Sequence, residues 1–236
     1  MIAPKPKTVG VLALQGDFQA HIEMLHACGV QTLEVRSIEE LQNVDALVIP
    51  GGESTTMSRL CDRYGLWEPL RARIQEGMGV FGTCAGLIML ATNISGGTRN
   101  FAQSTLGALD IDVARNAYGK QLDSFEADLD MEGGPGNEAA APLHAVFIRA
   151  PRIERVGDGV EVLARHNDVP VVVRQKKFMG ASFHPEIAGD ARLHQLWLQS
   201  LDGEAASMSD AAPGIAGQVP QSTLVAPGSV MREVTR

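Results

Sequence analysis

The chain has too little cysteine for a disulfide-held fold. Its three cysteines, Cys28, Cys61 and Cys84, are odd in number and scattered over 236 residues, which argues for a reducing compartment. No apolar run approaches the roughly 18 uncharged residues of a membrane span. The opening Met1-Ile2-Ala3-Pro4-Lys5-Pro6-Lys7 lacks the apolar core of a secretory signal. No two His or Cys stand at metal-ligand spacing, so no metal is expected. Positive charge is also short, with 20 Lys and Arg against 28 Asp and Glu and a net charge of −8. That balance disfavours nucleic acid or an anionic membrane surface as a partner. The expectation is a soluble, cytoplasmic protein.

What is present is enough apolar residue, 44%, to bury the core of one large α/β domain. Thr8 to Leu14 reads as a buried strand. Asp17 then caps a helix whose apolar face carries Phe18, Ile22, Leu25 and Cys28 and ends at Gly29. Gln31 to Val35 and Ala46 to Ile49 read as further strands, with a short helix at Ile38 to Gln42 between them. Helical spacing follows from Ser54 to Tyr64 and from Glu68 to Gln75, and a fourth strand leads to Phe81. Strands alternating with helices imply βαβ units and a mainly parallel, doubly wound sheet. Right-handed crossovers put the ends of strands one, three and four on one rim.

The middle of the chain changes style. Leu109 to Val113, Gln121 to Leu129, Val146 to Ile148, Val160 to Leu163 and Val169 to Gln175 read as short, more antiparallel strands. Met131 to Pro142, rich in Gly and Ala, reads as a surface loop. Asp190 to Leu201 makes a last helix. The domain is therefore expected at residues 8–201. Residues 202–236, rich in Ala, Gly, Ser and Pro, are expected to be a disordered tail.

Three segments carry chemistry. Gly82-Thr83-Cys84-Ala85-Gly86 joins an apolar strand to the helix-compatible run Leu87 to Ala91, the setting of a nucleophile elbow. Glycines two residues to either side permit the sharp turn, and the helix N-terminus favours a thiolate at Cys84. Alone, this motif fits equally a small buried cysteine in a tight turn. In His184-Pro185-Glu186, residues two apart project to the same side of an extended chain. Glu186 can then orient His184 as base for a thiol. By itself this tripeptide also fits a structural role, but with the elbow it completes a nucleophile–base–orienter set. Pro50-Gly51-Gly52-Glu53-Ser54 exposes backbone N–H groups at a strand end, and Ser54 can cap the following helix. One N–H from this turn and that of Ala85 could form an oxyanion hole. The turn also reads as a plain βα connection; a phosphate loop is weaker, since no G-K-[ST] follows.

Together these segments resemble the class I, triad-type glutamine amidotransferases. Within them the chain is similar to the glutaminase subunits of pyridoxal 5′-phosphate synthase. That branch is selected by Gly10 to Gly16, Pro50 to Met57, Phe81 to Leu87, Arg115-Asn116, Asp123 to Asp128, Val146 to Pro151 and Ser182 to Glu186. The resemblance covers residues 8–201. It implies a flavodoxin-like three-layer sandwich, with a mainly parallel central sheet and some antiparallel strands. It implies that Cys84 attacks the side-chain amide of L-glutamine, that His184 shuttles the proton and that Glu186 orients it. Gly52, Glu53, Ser54, Arg115, Ile148 and Arg149 then bind glutamine, and Gln15 helps complete an oxyanion site formed by Gly52 and Ala85. The ammonia goes to a docked synthase subunit, in a ring carrying one glutaminase per synthase subunit, for vitamin B6 synthesis. No cofactor is expected on this chain.

The rivals are another triad amidotransferase, a cysteine peptidase on the same scaffold, and a non-catalytic regulator. The first lacks the combination of Asp123 to Asp128 with Phe147 to Pro151. The glutamine-pocket segments disfavour the second, and intact Cys84, His184 and Glu186 disfavour the third. Cys28 and Cys61 read as packing residues, His21 and His26 as surface groups, and His166-Asn167 as a turn.

Overall fold

The computed structural model describes residues 7–96, 103–115, 124–132 and 141–207. Its elements in chain order are β1 (Thr8–Leu12), α1 (Phe18–Ala27), β2 (Gln31–Val35), α2 (Ile38–Gln42), β3 (Ala46–Ile49) and α3 (Ser54–Arg63). Then come α4 (Trp67–Gln75), β4 (Gly79–Thr83), α5 (Ala85–Leu90), β5 (Ala91–Ser95), β6 (Leu109–Ala114) and β7 (Ser124–Leu129). The chain continues through β8 (Leu143–Ile148), β9 (Arg152–Val156), β10 (Glu161–His166), β11 (Val169–Gln175), β12 (Phe178–Ala181) and α6 (Arg192–Ser207).

Seven strands form the central sheet in the order β10-β11-β12-β4-β3-β1-β2. The pairs β1–β2, β1–β3, β3–β4 and β4–β12 are parallel, whereas β11 pairs antiparallel with β10 and β12. The expected mainly parallel sandwich is therefore borne out. Two smaller sheets, β5-β6-β9 and β7-β8, lie outside it.

Strand β3 shows why the sheet is covered on both sides. All four of its residues are buried, as in a strand of a doubly wound sheet. Leu47 and Ile49 join one core with residues of α2 to α5 and of β5, β6 and β9. Ala46 and Val48 join the other core with residues of α1, β7, β8 and α6. The strand's period of two therefore feeds two separate cores.

Local signals explain most element ends. Asp17 caps α1 by accepting from the N–H of Ala20 at 3.3 Å, as expected. Ser37 and Glu40 form a reciprocal capping box on α2. Three departures stand out. The apolar run read as helix to Ala91 turns at Leu90, and Ala91–Ser95 becomes β5, parallel to β6. Strand β9, Arg-Ile-Glu-Arg-Val, carries three charges in five residues and escaped the reading. The cap of α3 is Glu53 rather than Ser54: its carboxylate accepts from the N–H groups of Thr55 and Thr56 at 3.0 and 2.6 Å. A two-carbon arm reaches two orphan donors at once. Helix α6 runs to Ser207, six residues into the tail expected from Asp202; Asn116, Asp123, most of the expected 131–142 loop and residues 208–236 of that tail lie outside the described residues.

Candidate active site

Cys84 stands between β4 and α5 with φ 47° and ψ −100°, a backbone state that a non-glycine residue holds only under constraint. The constraints are visible around it. The Cys84 N–H donates to the carbonyl of Ala181 at 2.8 Å. Gly86 packs so tightly under β3 that a Cβ there would strike the carbonyl oxygen of Ile49. The helix can start at once behind the sulfur only because this position has no side chain.

β12 is the parallel neighbour of β4, with Thr83 paired to Ala181. Shortly beyond Ala181 the chain reaches His184, whose N–H donates to the carbonyl of Val146 at 3.0 Å. His184 Nδ1 lies 2.7 Å from Glu186 Oε1, so the pairing expected of an extended His-Pro-Glu segment is present. Burial works against a charged His184. The Cys84 sulfur and the Glu186 carboxylate beside it outweigh that penalty and hold its pKa well above the usual imidazole range. Burial alone would likewise push Glu186 up. The His21 and His184 imidazoles reverse this and hold the carboxyl below its ordinary range.

These groups open on a cavity of about 330 Å³, lined by Gln15, Gly52, Glu53, Ser54, Cys84, Ile88, Arg115, Ile148, Arg149 and His184. Its size is at the lower end for small-molecule sites, roughly 300–1,000 Å³. Nine of the lining residues were singled out in the sequence; Ile88, on the α5 face, was not. Glu186 is buried behind His184. Ala85 is buried at the start of α5 and is not among the lining residues.

The turn after β3 is braced from two sides. The Glu53 N–H donates to Gln15 Oε1 at 2.7 Å. The Arg115 guanidinium donates to Thr55 Oγ1 at 2.8 Å and lies 3.7 Å from Glu53 Oε1. Arg115 is buried, and its Nη1 has no hydrogen-bond partner among the described residues. A buried guanidinium N–H without an acceptor is costly, and on a cavity wall it is offered to a ligand oxygen. Arg149 is exposed, with φ 45°. Ser54 Oγ donates to Gln103 Oε1 at 3.2 Å.

Two histidines were missed. His21 was read as a surface group, yet it is fully buried. Its Nε2 lies 3.1 Å from Thr83 Oγ1 and 3.4 Å from Glu186 Oε2. Its Nδ1 lies 2.9 Å from Nε2 of His194, also fully buried. The helical stripe could have found both. His21 falls three residues after Phe18 and four before Leu25, and His194 three before Trp197. His26 is exposed as expected. Cys61 is buried, and burial pushes its thiol up to about 12, consistent with a packing role.

Comparison with known proteins bears directly on this arrangement. Residues 11–202 match the SNO glutamine amidotransferase family. The chain belongs to that family. This amidotransferase is 54% identical over 202 residues to the pyridoxal 5′-phosphate synthase subunit PdxT of Mycolicibacterium vanbaalenii, covering 85% of this chain and all of that one. It is 52% identical over 192 residues to the subunit of the same name from Thermus thermophilus, covering 81% of this chain and 96% of that one. A crystal structure described as a glutamine amidotransferase superposes with a TM-score of 0.74 at 49% identity, covering 82% of this chain and 98% of that chain. PurLQS from Thermotoga maritima shares the fold alone, with a TM-score of 0.59 at 18% identity over 85% of this chain and 99% of that one. The family resemblance read from the sequence is borne out.

Proposed function

We propose that the chain hydrolyses L-glutamine to L-glutamate and ammonia through Cys84, His184 and Glu186. The ammonia then passes to a docked synthase subunit that builds pyridoxal 5′-phosphate. The supporting observation is the convergence of Cys84 and the Glu186-held imidazole of His184 on one cavity, with Arg115 on its wall. The names of the relatives that match over most of their length supply the synthase assignment.

The chemistry balances with the chain's own groups. His184 takes the thiol proton, and the Cys84 sulfur attacks the side-chain amide carbon. The carbonyl oxygen becomes an oxyanion facing the N–H groups of Gly52 and Ala85, with Gln15 completing that site. His184 returns the proton to the amide nitrogen, the C–N bond breaks, and ammonia leaves a thioester on Cys84. Water then loses a proton to His184 and attacks the thioester; the C–S bond breaks, and glutamate departs as Cys84 regains its proton. Glu186 stays ionised and holds the imidazole in the required orientation.

The glutamine backbone carboxylate is the natural acceptor for the open Nη1 of Arg115. Glu53, Ser54, Ile148 and Arg149 provide the rest of the wall. Ammonia is basic enough to be protonated in bulk water, which makes direct transfer within a complex necessary. A ring with one glutaminase on each synthase subunit, both in the cytoplasm, meets that need.

The test combines the purified chain with a pyridoxal 5′-phosphate synthase subunit and follows glutamate release. Wild type hydrolyses glutamine slowly alone and much faster with the synthase. Cys84→Ala loses glutamine use, while the mixture keeps cofactor synthesis from added ammonium salt. Glutamine hydrolysis by Cys84→Ala at the wild-type rate would overturn the reading.

A further inference from the structure

A buried carboxylate that orients a catalytic base has two oxygens, and both need a donor. In this chain Glu186 Oε1 is taken by His184 at 2.7 Å. Oε2 has no hydrogen bond among the described residues, and its near neighbour is His21 Nε2 at 3.4 Å. That separation is a few tenths of an ångström beyond a good hydrogen bond, and catalytic contacts of this kind commonly tighten when substrate binds.

The protonation pattern follows by elimination. His194 is fully buried, and burial first, then the neighbouring His21, lowers its pKa to about 3. It is therefore neutral and carries one N–H. Its Nδ1 faces no partner among the described residues, whereas its Nε2 lies 2.9 Å from His21 Nδ1. A proton on Nδ1 would be an orphan buried donor; on Nε2 it is used. His21 Nδ1 then accepts, which leaves an N–H on Nε2, facing Glu186 Oε2 and Thr83 Oγ1. The other ionisable group near this line is Asp190, which acts on His194 from a distance and pairs with Arg192.

We propose that His21 is a positioning residue for the catalytic pair. From helix α1 it holds the second oxygen of Glu186, so that the first is presented to His184 in one fixed direction. His194, from α6, acts one step further out by fixing the His21 tautomer. Two elements distant in the chain thereby hold the carboxylate, α1 and, through His21, α6; Thr83 at the end of β4 meets the same His21 nitrogen at 3.1 Å. Helix α1 starts just beyond Gln15, so one segment carries both a wall of the cavity and the clamp.

This inference rests on the triad reading above, and its test is chosen to be separable from it. Iodoacetamide alkylates a thiolate whatever the enzyme's substrate, so the pH profile of Cys84 alkylation reports the Cys84–His184–Glu186 arrangement directly. In the full-length His21→Leu chain that profile's acid limb moves to higher pH. With synthase present, kcat per alkylatable Cys84 falls roughly 10- to 100-fold, as for lost outer-layer partners elsewhere. KM for glutamine stays within about threefold. His21→Gln, whose amide N–H stands near the place of Nε2, recovers most of the rate and the limb. His194→Leu shifts both in the same direction but less, and it supplies the comparison should His21→Leu fail to fold.

A merely structural role predicts lower melting temperatures, with an unmoved limb and unchanged kcat per labelled Cys84. That result in the folded variants would overturn the proposal. A shifted limb without any glutamine hydrolysis by wild type would sink the substrate assignment and leave the clamp standing.

Discussion

Thr83 and Ala181 are register partners across the parallel β4–β12 pair, and that one pairing brings Cys84 and His184 to the same rim. Each lies just past its strand, where parallel strands of a doubly wound sheet deliver their C-terminal residues. The Cys84 N–H donating to Ala181 locks the junction. A nucleophile and a base a hundred residues apart thus hang on adjacent strand ends.

The close approach of Gly51 to His184 makes a sharp prediction. A Cβ at Gly51 would overlap the imidazole at Cε1 and Nδ1, so Gly51→Ala must displace the ring. A misplacement of about 1 Å at a catalytic group costs on the order of 10²-fold. Steady-state assay with synthase should show kcat reduced by about that factor, with the far-ultraviolet circular dichroism of a folded chain. Wild-type turnover in Gly51→Ala would show that His184 is not the working base.

Arg115 should govern substrate affinity rather than chemistry. Its unpartnered Nη1 offers a charge-assisted bond of about 1.5–3 kcal/mol. Arg115→Lys keeps the charge but loses the planar fork. KM for glutamine should rise roughly 10- to 100-fold, with kcat within a few-fold of wild type. An unchanged KM would remove Arg115 from the binding wall.

Acid should unfold this protein through His194 before the carboxylates protonate. Burial, and then His21, hold the folded pKa of His194 at about 3, against about 6.5 in an unfolded chain. Between those values the unfolded chain binds a proton that the folded one refuses. The contribution of His194 is therefore intact above about pH 6.5 and falls as pH drops towards 3, by up to about 1.4 kcal/mol per pH unit. Glu186 acts in the same direction lower down. Its folded pKa is depressed, so its contribution is present above about 4.3 and lost as pH falls through the folded value. Urea midpoints measured from pH 7 to 4.5 should fall more steeply for wild type than for His194→Leu. Parallel slopes would contradict this account.

How much of the site was legible before folding depends on whether its chemistry is local. The elbow is local: Gly82 and Gly86 flank Cys84, and the conformation they permit is the one observed. His184-Pro185-Glu186 is local too, because extended backbone brings its first and third side chains to one side. The cap of α3 was read at Ser54 rather than Glu53 because serine is the commoner cap. The carboxylate won because its longer arm reaches two backbone donors and the Thr56 hydroxyl together. His21 was read as a surface group because a histidine in a helix has no intrinsic preference for either side. Its place on the stripe from Phe18 to Leu25 marks it for burial, but only the packing of α1 beside Thr83 and α6 decides what it meets.

The amino-acid sequence by itself determined which groups were available: a thiol in a turn that only flanking glycines permit, an imidazole two residues from a carboxylate, and a βα rhythm that makes a doubly wound sheet. These follow from backbone sterics and side-chain periodicity, which act over a few residues. Tertiary structure decided that β12 returns beside β4 rather than at a sheet edge, that Arg115 closes over the β3 turn, and that His21 and His194 meet behind Glu186. Those outcomes depend on strand order and on which faces find mutual burial, and no short stretch of chain encodes either.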